Sequence, residues 1–169
     1  MPTRHHSTAA PRLGFIATAA ALTALAAVAF LLLRPGAGNA AQSNGAMVST
    51  AKTSLGRILV NSSGRTLYLF GKDKNGKSSC SGMCASFWPP LITTGKPRAG
   101  TGAKASLLGT TKRADGRVQV TYNHHPLYTF KKDTKKGQTN GEGLSAFGAT
   151  WYAVSPAGAR VVKSGGGGY

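Results

Sequence analysis

A shift of 60 residues lays the middle of the chain onto itself. Gly56, Arg57, Val60, Leu67, Tyr68, Phe70, Lys72 and Asp73 then fall on Gly116, Arg117, Val120, Leu127, Tyr128, Phe130, Lys132 and Asp133. Eight identities in eighteen ungapped positions stand far above the roughly one expected by chance. Ile58 lies opposite Val118, and Trp88 meets Trp151 after a few residues of slippage. The domain is therefore a tandem duplication, and its fold must be one unit met twice.

Each copy reads as a β-hairpin. Residues 57–61 and 66–70 alternate or cluster β-branched, aliphatic and aromatic side chains around a Ser62, Ser63, Gly64 turn. In the second copy, 117–122 and 126–130 flank a turn at Asn123 to His125. Further strands are expected at 107–112, 151–154 and 160–162, and a single helical turn at 85–88 before Pro89 and Pro90 stop it. These readings predict an all-β fold: a small tandem-duplicated antiparallel β domain over 55–163, with pseudo-symmetric hairpin repeats at about 56–92 and 116–156. Residues 41–54 are small and polar and read as a linker, and the glycine run in 164–169 reads as a flexible tail.

An N-terminal hydrophobic helix is expected before the domain. The uncharged run from Leu13 to Leu33 follows Arg4 and Arg12 and ends at Arg34, Pro35 and Gly36. Its 21 residues would span about 31 Å as a helix, enough for a bilayer. Basic residues on its N-terminal side orient that end toward the cytoplasm. Gly38, Asn39 and Ala40 fit the small-x-small rule for signal peptidase, so 1–40 reads either as a cleaved signal peptide or as a membrane anchor. Both place the domain outside the cell.

Cys80 and Cys84 are the only cysteines, and an oxidising compartment favours their pairing. So short a loop removes little unfolded-state entropy, so the bridge is expected to shape its loop more than to stabilise the fold. A second reading keeps them as thiolates. With Met83 between them, and His124 or His125 to complete the set, they would suit copper in its reduced state. The spacing matches neither the thioredoxin redox motif nor covalent haem attachment.

Both copies carry Tyr-x-Phe-x-x-Asp: Tyr68, Phe70, Asp73 and Tyr128, Phe130, Asp133. A period of two puts Tyr and Phe on one strand face and Leu67 or Leu127 on the other. The Asp follows where the chain leaves the sheet, and its short side chain can accept backbone N–H groups from the next residues. The motif reads as core aromatics with a loop-pinning Asp; the alternative is a small-ligand cleft between the copies, lined by two Tyr hydroxyls and two carboxylates. With only 4 acidic side chains in the chain, two-metal phosphoryl transfer and oxygen-ligand calcium cages lack their ligands. No Ser, His and acid set or activated Cys and His pair emerges from spacing, so no catalytic residue and no enzymatic activity is expected.

Together these residues resemble a bacterial family of predicted lipoproteins marked by a Tyr-x-aromatic-x-x-Asp motif, also called the secreted repeat of unknown function. The resemblance runs through Gly64, Thr66, Leu67, Tyr68, Phe70, Asp73, Cys80, Gly82, Cys84, Ala85 and the Trp88, Pro89, Pro90 run. In the second copy it runs through Asp115, Gly116, Gln119, Val120, Tyr122, Asn123, Pro126, Leu127, Tyr128, Phe130, Asp133, Asn140, Gly141, Gly143, Trp151 and Pro156. It implies extracytoplasmic placement, often at the membrane, with no established reaction. No Cys stands at the end of the apolar run, so the lipid attachment in the family's name has no acceptor there. Where the family usually has Gly after Asn123, this chain has His124, a costlier residue at φ > 0.

Charge supplies the last constraint. The chain carries 21 Lys and Arg, a net +17, and beyond residue 40 the balance is 18 basic against 4 acidic residues, a net +14. Such an excess favours anionic cell-wall polymers or lipid headgroups as partners. Nucleic acid is not expected outside the cell, nor is any cofactor in the leading reading. The leading function is thus a non-enzymatic binding or structural module of the cell envelope, secreted or anchored through Leu13 to Leu33. Copper or redox chemistry and small-ligand binding are the alternatives.

Overall fold

The computed structural model describes residues 45–161; the segments read as leader and tail lie outside them. Strands dominate: β1 (Met47–Thr53), β2 (Gly56–Asn61), β3 (Tyr68–Phe70), β4 (Arg98–Ala99), β5 (Leu108–Lys112), β6 (Val118–Tyr122), β7 (His125–Pro126), β8 (Ser145–Ala146) and β9 (Ala149–Ala153). One short helix, α1 (Met83–Phe87), and one 3-10 turn (Ala105–Leu107) complete the described elements. They form three small sheets with the orders β2-β1-β4, β3-β9-β8 and β5-β6-β7. No described helix is long and apolar enough to cross a membrane.

The duplication is visible in the pairings. In copy one β1 runs antiparallel to β2, with Thr50 opposite Leu59; in copy two β5 runs antiparallel to β6, with Thr110 opposite Val120. Two expectations need correction here. Residues 47–53, read as linker, are the longest strand of the fold, because their backbone completes β2 on one edge and β4 on the other. Nor are the repeats self-contained hairpins. Thr66 touches Val60 through a single bridge, after which β3 leaves its own copy and pairs with β9 of the other, with Phe70 opposite Trp151.

The two copies meet at the middle of the motif. Tyr68 and Tyr128 form an antiparallel bridge in which each backbone N–H donates to the other's carbonyl, at 2.8 and 3.0 Å. Side chains on either side of these segments divide as a period of two requires. Leu67, Leu69 and Leu127 join Val48, Leu59, Val120 and Tyr122 in one core. Tyr68, Phe70, Tyr128 and Phe130 join both tryptophans and the cysteines in the other. Among the described residues 45–161 these side chains close two buried clusters, which is what a domain needs to fold by itself.

Candidate functional site

The repeated motif is where the sequence places its candidate chemistry, and its polar atoms are spent across the copies. Tyr68 Oη donates to Asp133 Oδ2 at 2.6 Å, and Tyr128 Oη donates to Asp73 Oδ2 at 2.7 Å. Each Asp also pins its own loop, as expected of a short acceptor. Asp73 Oδ1 accepts Ser79 N–H at 2.7 Å, and Asp133 Oδ1 accepts Asn140 N–H at 2.9 Å. Burial raises both tyrosine pKa values well above the ordinary 10, so the phenols stay protonated as donors. Burial also raises both aspartates above the ordinary 3.8, opposed by the N–H and O–H bonds they accept.

The aromatic members are exchanged in the same way. Phe70 stacks on Trp151 at 4.0 Å, Trp151 on Trp88 at 3.9 Å and Trp88 on Phe130 at 4.2 Å, a four-ring column that alternates between copies. Tyr68 meets Trp88 edge-on and Tyr128 meets Trp151 edge-on. Such offset and edge contacts add to the area that these large side chains bury. A ligand cleft lined by the two hydroxyls is therefore not formed. Tyr68 and Tyr128 are fully buried, both hydroxyls are engaged, and the indoles fill the space between the copies.

Cys80 and Cys84 are joined in a disulfide with Cα atoms 5.3 Å apart. This corrects the soft-metal reading, since the bridge consumes both thiolates and leaves Met83 exposed on α1. Nor does any group of three His, Cys, Asp or Glu among the described residues stand close enough to hold an ion. The bridged loop is fastened by a side chain that the sequence reading missed. Arg113, nearly buried, donates to the Cys80 carbonyl at 2.6 Å, to Gln119 Oε1 at 2.6 Å and to Ser78 Oγ at 2.8 Å. Its only sequence signal was an Arg sitting next to a strand end, which is common on any surface.

His124 lies in the β6–β7 turn, whereas His125, expected in the same turn, is the first residue of β7 and pairs with Tyr122. Asn123 and His124 both take positive φ, 47° and 65°, so the two-residue turn keeps the geometry that Asn-Gly would give it although His stands in the glycine's place. The pair, with Asp73, Asn75, Gly76 and Pro126, lines a cavity of about 400 Å³. Burial holds the His125 pKa below its ordinary 6.5, aided by His124 and opposed by the Asp73 carboxylate.

The acids have a consequence for the surface. Asp73 and Asp133 are bonded to tyrosines, Asp115 pairs with Arg113 and Arg117, and Glu142 Oε2 accepts Ala153 N–H. Arg117 is the first cause of the Asp115 pKa falling to about 2. All four carboxylates thus have partners within the chain, Asp115 at the surface and the others at least partly buried, and the net field is dominated by the excess of lysine and arginine.

A family described as a secreted repeat of unknown function matches this chain twice, over residues 49–92 and 109–155, more than half its length. Each match begins inside the first strand of its copy, β1 or β5, so the repeat unit includes the strand that composition hid in copy one. No curated protein and no solved structure matches the chain.

Proposed function

The chain belongs to the family of the secreted repeat of unknown function, and from that premise we propose that it is a non-enzymatic binding module of the cell envelope, acting on anionic polymers or lipid headgroups outside the cytoplasm. The observation that carries this reading is the disposal of charge. All four acids have partners within the chain, while the described residues carry 17 lysines and arginines, of which only Arg113 is buried. The motif that would be suspected of chemistry supports the same reading. Its hydroxyls and carboxylates bond to one another across the two copies, a use that is structural. A disulfide in the domain suits an oxidising compartment, and the apolar run from Leu13 to Leu33 is the proposed export signal.

Titration of the exported domain with a soluble polyanion such as poly-L-glutamate tests the reading. Affinity is expected to fall at least about tenfold between low salt and roughly 0.5 M, where the Debye length has shrunk to about 4 Å. Binding that ignores salt overturns it, as does failure at low salt to bind both this polymer and anionic lipid vesicles.

A further inference from the structure

One face of the domain combines features that the module reading leaves unused. Five large apolar side chains are exposed among the described residues, and four of them lie on or beside α1 and the β8–β9 hairpin: Met83, Phe87, Phe147 and Leu144, which directly precedes β8. Phe87 and Phe147 have ring centroids 6.2 Å apart. Met83 lies four residues before Phe87 on the same helical face. Together with Leu144, Lys132, Trp88 and Phe130, the two Phe rings line a shallow cavity of about 240 Å³. Its floor is the end of the four-ring column, so this face rests on a rigid support.

Phe147 is displayed against its conformational preference. It occupies the first central position of the two-residue turn between Ala146 and Ala149, at φ 57°, with Gly148 following at φ 90°. The other two-residue turns of this kind give that first position to Asn75 and Asn123, the residue type that tolerates it. A bulky aromatic held in the left-handed region at an exposed tip is the kind of local strain that accompanies a functional contact.

The rim is basic. Lys131 Nζ lies 5.9 Å from the centroid of the Phe87 ring, Lys132 lines the cavity, and Lys72 Nζ sits beside Gly148 at the turn. Lys72 and Lys132 are the same position in the two copies.

We propose that this face docks on an anionic lipid bilayer, with Phe147 and Phe87 entering the headgroup region and Lys72, Lys131 and Lys132 meeting the lipid phosphates. An apolar centre with a cationic rim reproduces the layering of such a surface, where aromatic rings favour the interface and ammonium groups the phosphate level. The proposal rests on the basic-module reading and deepens it by naming the partner and the face.

The test uses residues 41–169, which contain both cores, and compares phosphatidylglycerol-containing vesicles, pure phosphatidylcholine vesicles and poly-L-glutamate. Wild type is expected to bind the anionic vesicles and not the neutral ones. Phe147→Asn restores the residue that the turn prefers, so its melting midpoint should stay level or rise while its affinity for the anionic vesicles drops about tenfold. Its affinity for poly-L-glutamate should not change. Phe147→Trp should hold or tighten vesicle binding. If Phe147→Asn binds the vesicles as tightly as wild type, or if wild type binds only the soluble polymer, the docking face is wrong and the module reading survives. If wild type binds neither vesicle nor polymer, both fall.

Discussion

Tyr68 and Tyr128 hold the same place in their copies, yet the copies surround them differently. Tyr68 serves Asp133, which is fully buried, and its own oxygen accepts Gly141 N–H at 3.2 Å. Tyr128 serves Asp73, which is only half-buried and whose Oδ1 accepts both Ser79 N–H and Ser79 Oγ–H. Removing one phenol oxygen therefore has unequal consequences. Tyr68→Phe strips a buried carboxyl of a donor and should cost about 2–3 kcal/mol, whereas Tyr128→Phe should cost about 1 kcal/mol, both read from urea denaturation. The pH dependence has a sign. Burial raises the folded pKa of Asp133 above its ordinary 3.8, and the Tyr68 hydrogen bond partly counters that rise. Without the phenol the folded pKa climbs further, so the folded variant holds its proton more tightly. The deficit of Tyr68→Phe should shrink as pH falls toward 3.8 and reach its full size once pH exceeds the folded value. Equal costs for the two variants at neutral pH would contradict the difference in burial.

At the scale of elements, the β6–β7 turn is a backbone requirement met by an unfavourable residue. His124 sits at φ 65°, where glycine carries no Cβ penalty. His124→Gly should raise stability by about 1 kcal/mol in thermal unfolding; a loss would mean that the imidazole makes a contact worth more than the strain. The same scale shows what the sequence could be made to tell. The alternation in 57–61, 117–122 and 151–154 was legible because β-branched and aromatic residues fill it. Residues 47–53 were not, since Ser49, Thr50, Ala51 and Lys52 have the composition of a linker and become a strand only by pairing with β2 and β4. Yet Thr50 and Lys52 fall on Thr110 and Lys112 under the 60-residue shift, and 107–112 had been expected to be a strand. The duplication thus held the missing information. The Tyr and Asp motif was legible as a pair of structural anchors, but its exchange between copies was not, because periodicity reports which face a side chain takes and never which partner faces it. The Phe87 and Phe147 surface left no sequence signal at all. Exposed aromatics look like core aromatics until the chain is folded.

For the molecule as a whole, exchange makes the copies mutually dependent. Each supplies the acid for the other's tyrosine, the indole for the other's phenylalanine, and, in β3 with β9, the strand for the other's edge. A fragment of residues 41–104 or 105–169 alone retains a tyrosine with no acid partner, half a ring column and half a core. Each should lack dispersed amide resonances by itself, and an equimolar mixture should recover the spectrum of the intact domain. A fragment that folds alone would show that the copies are independent after all. Reciprocal contacts of this kind are what an isologous interface consists of, and here they have been written into one polypeptide. In evolutionary terms, the two halves can no longer drift separately. A change at Asp133 is felt first by Tyr68, 65 residues away and in the other repeat, so the unit on which selection acts is the pair of copies.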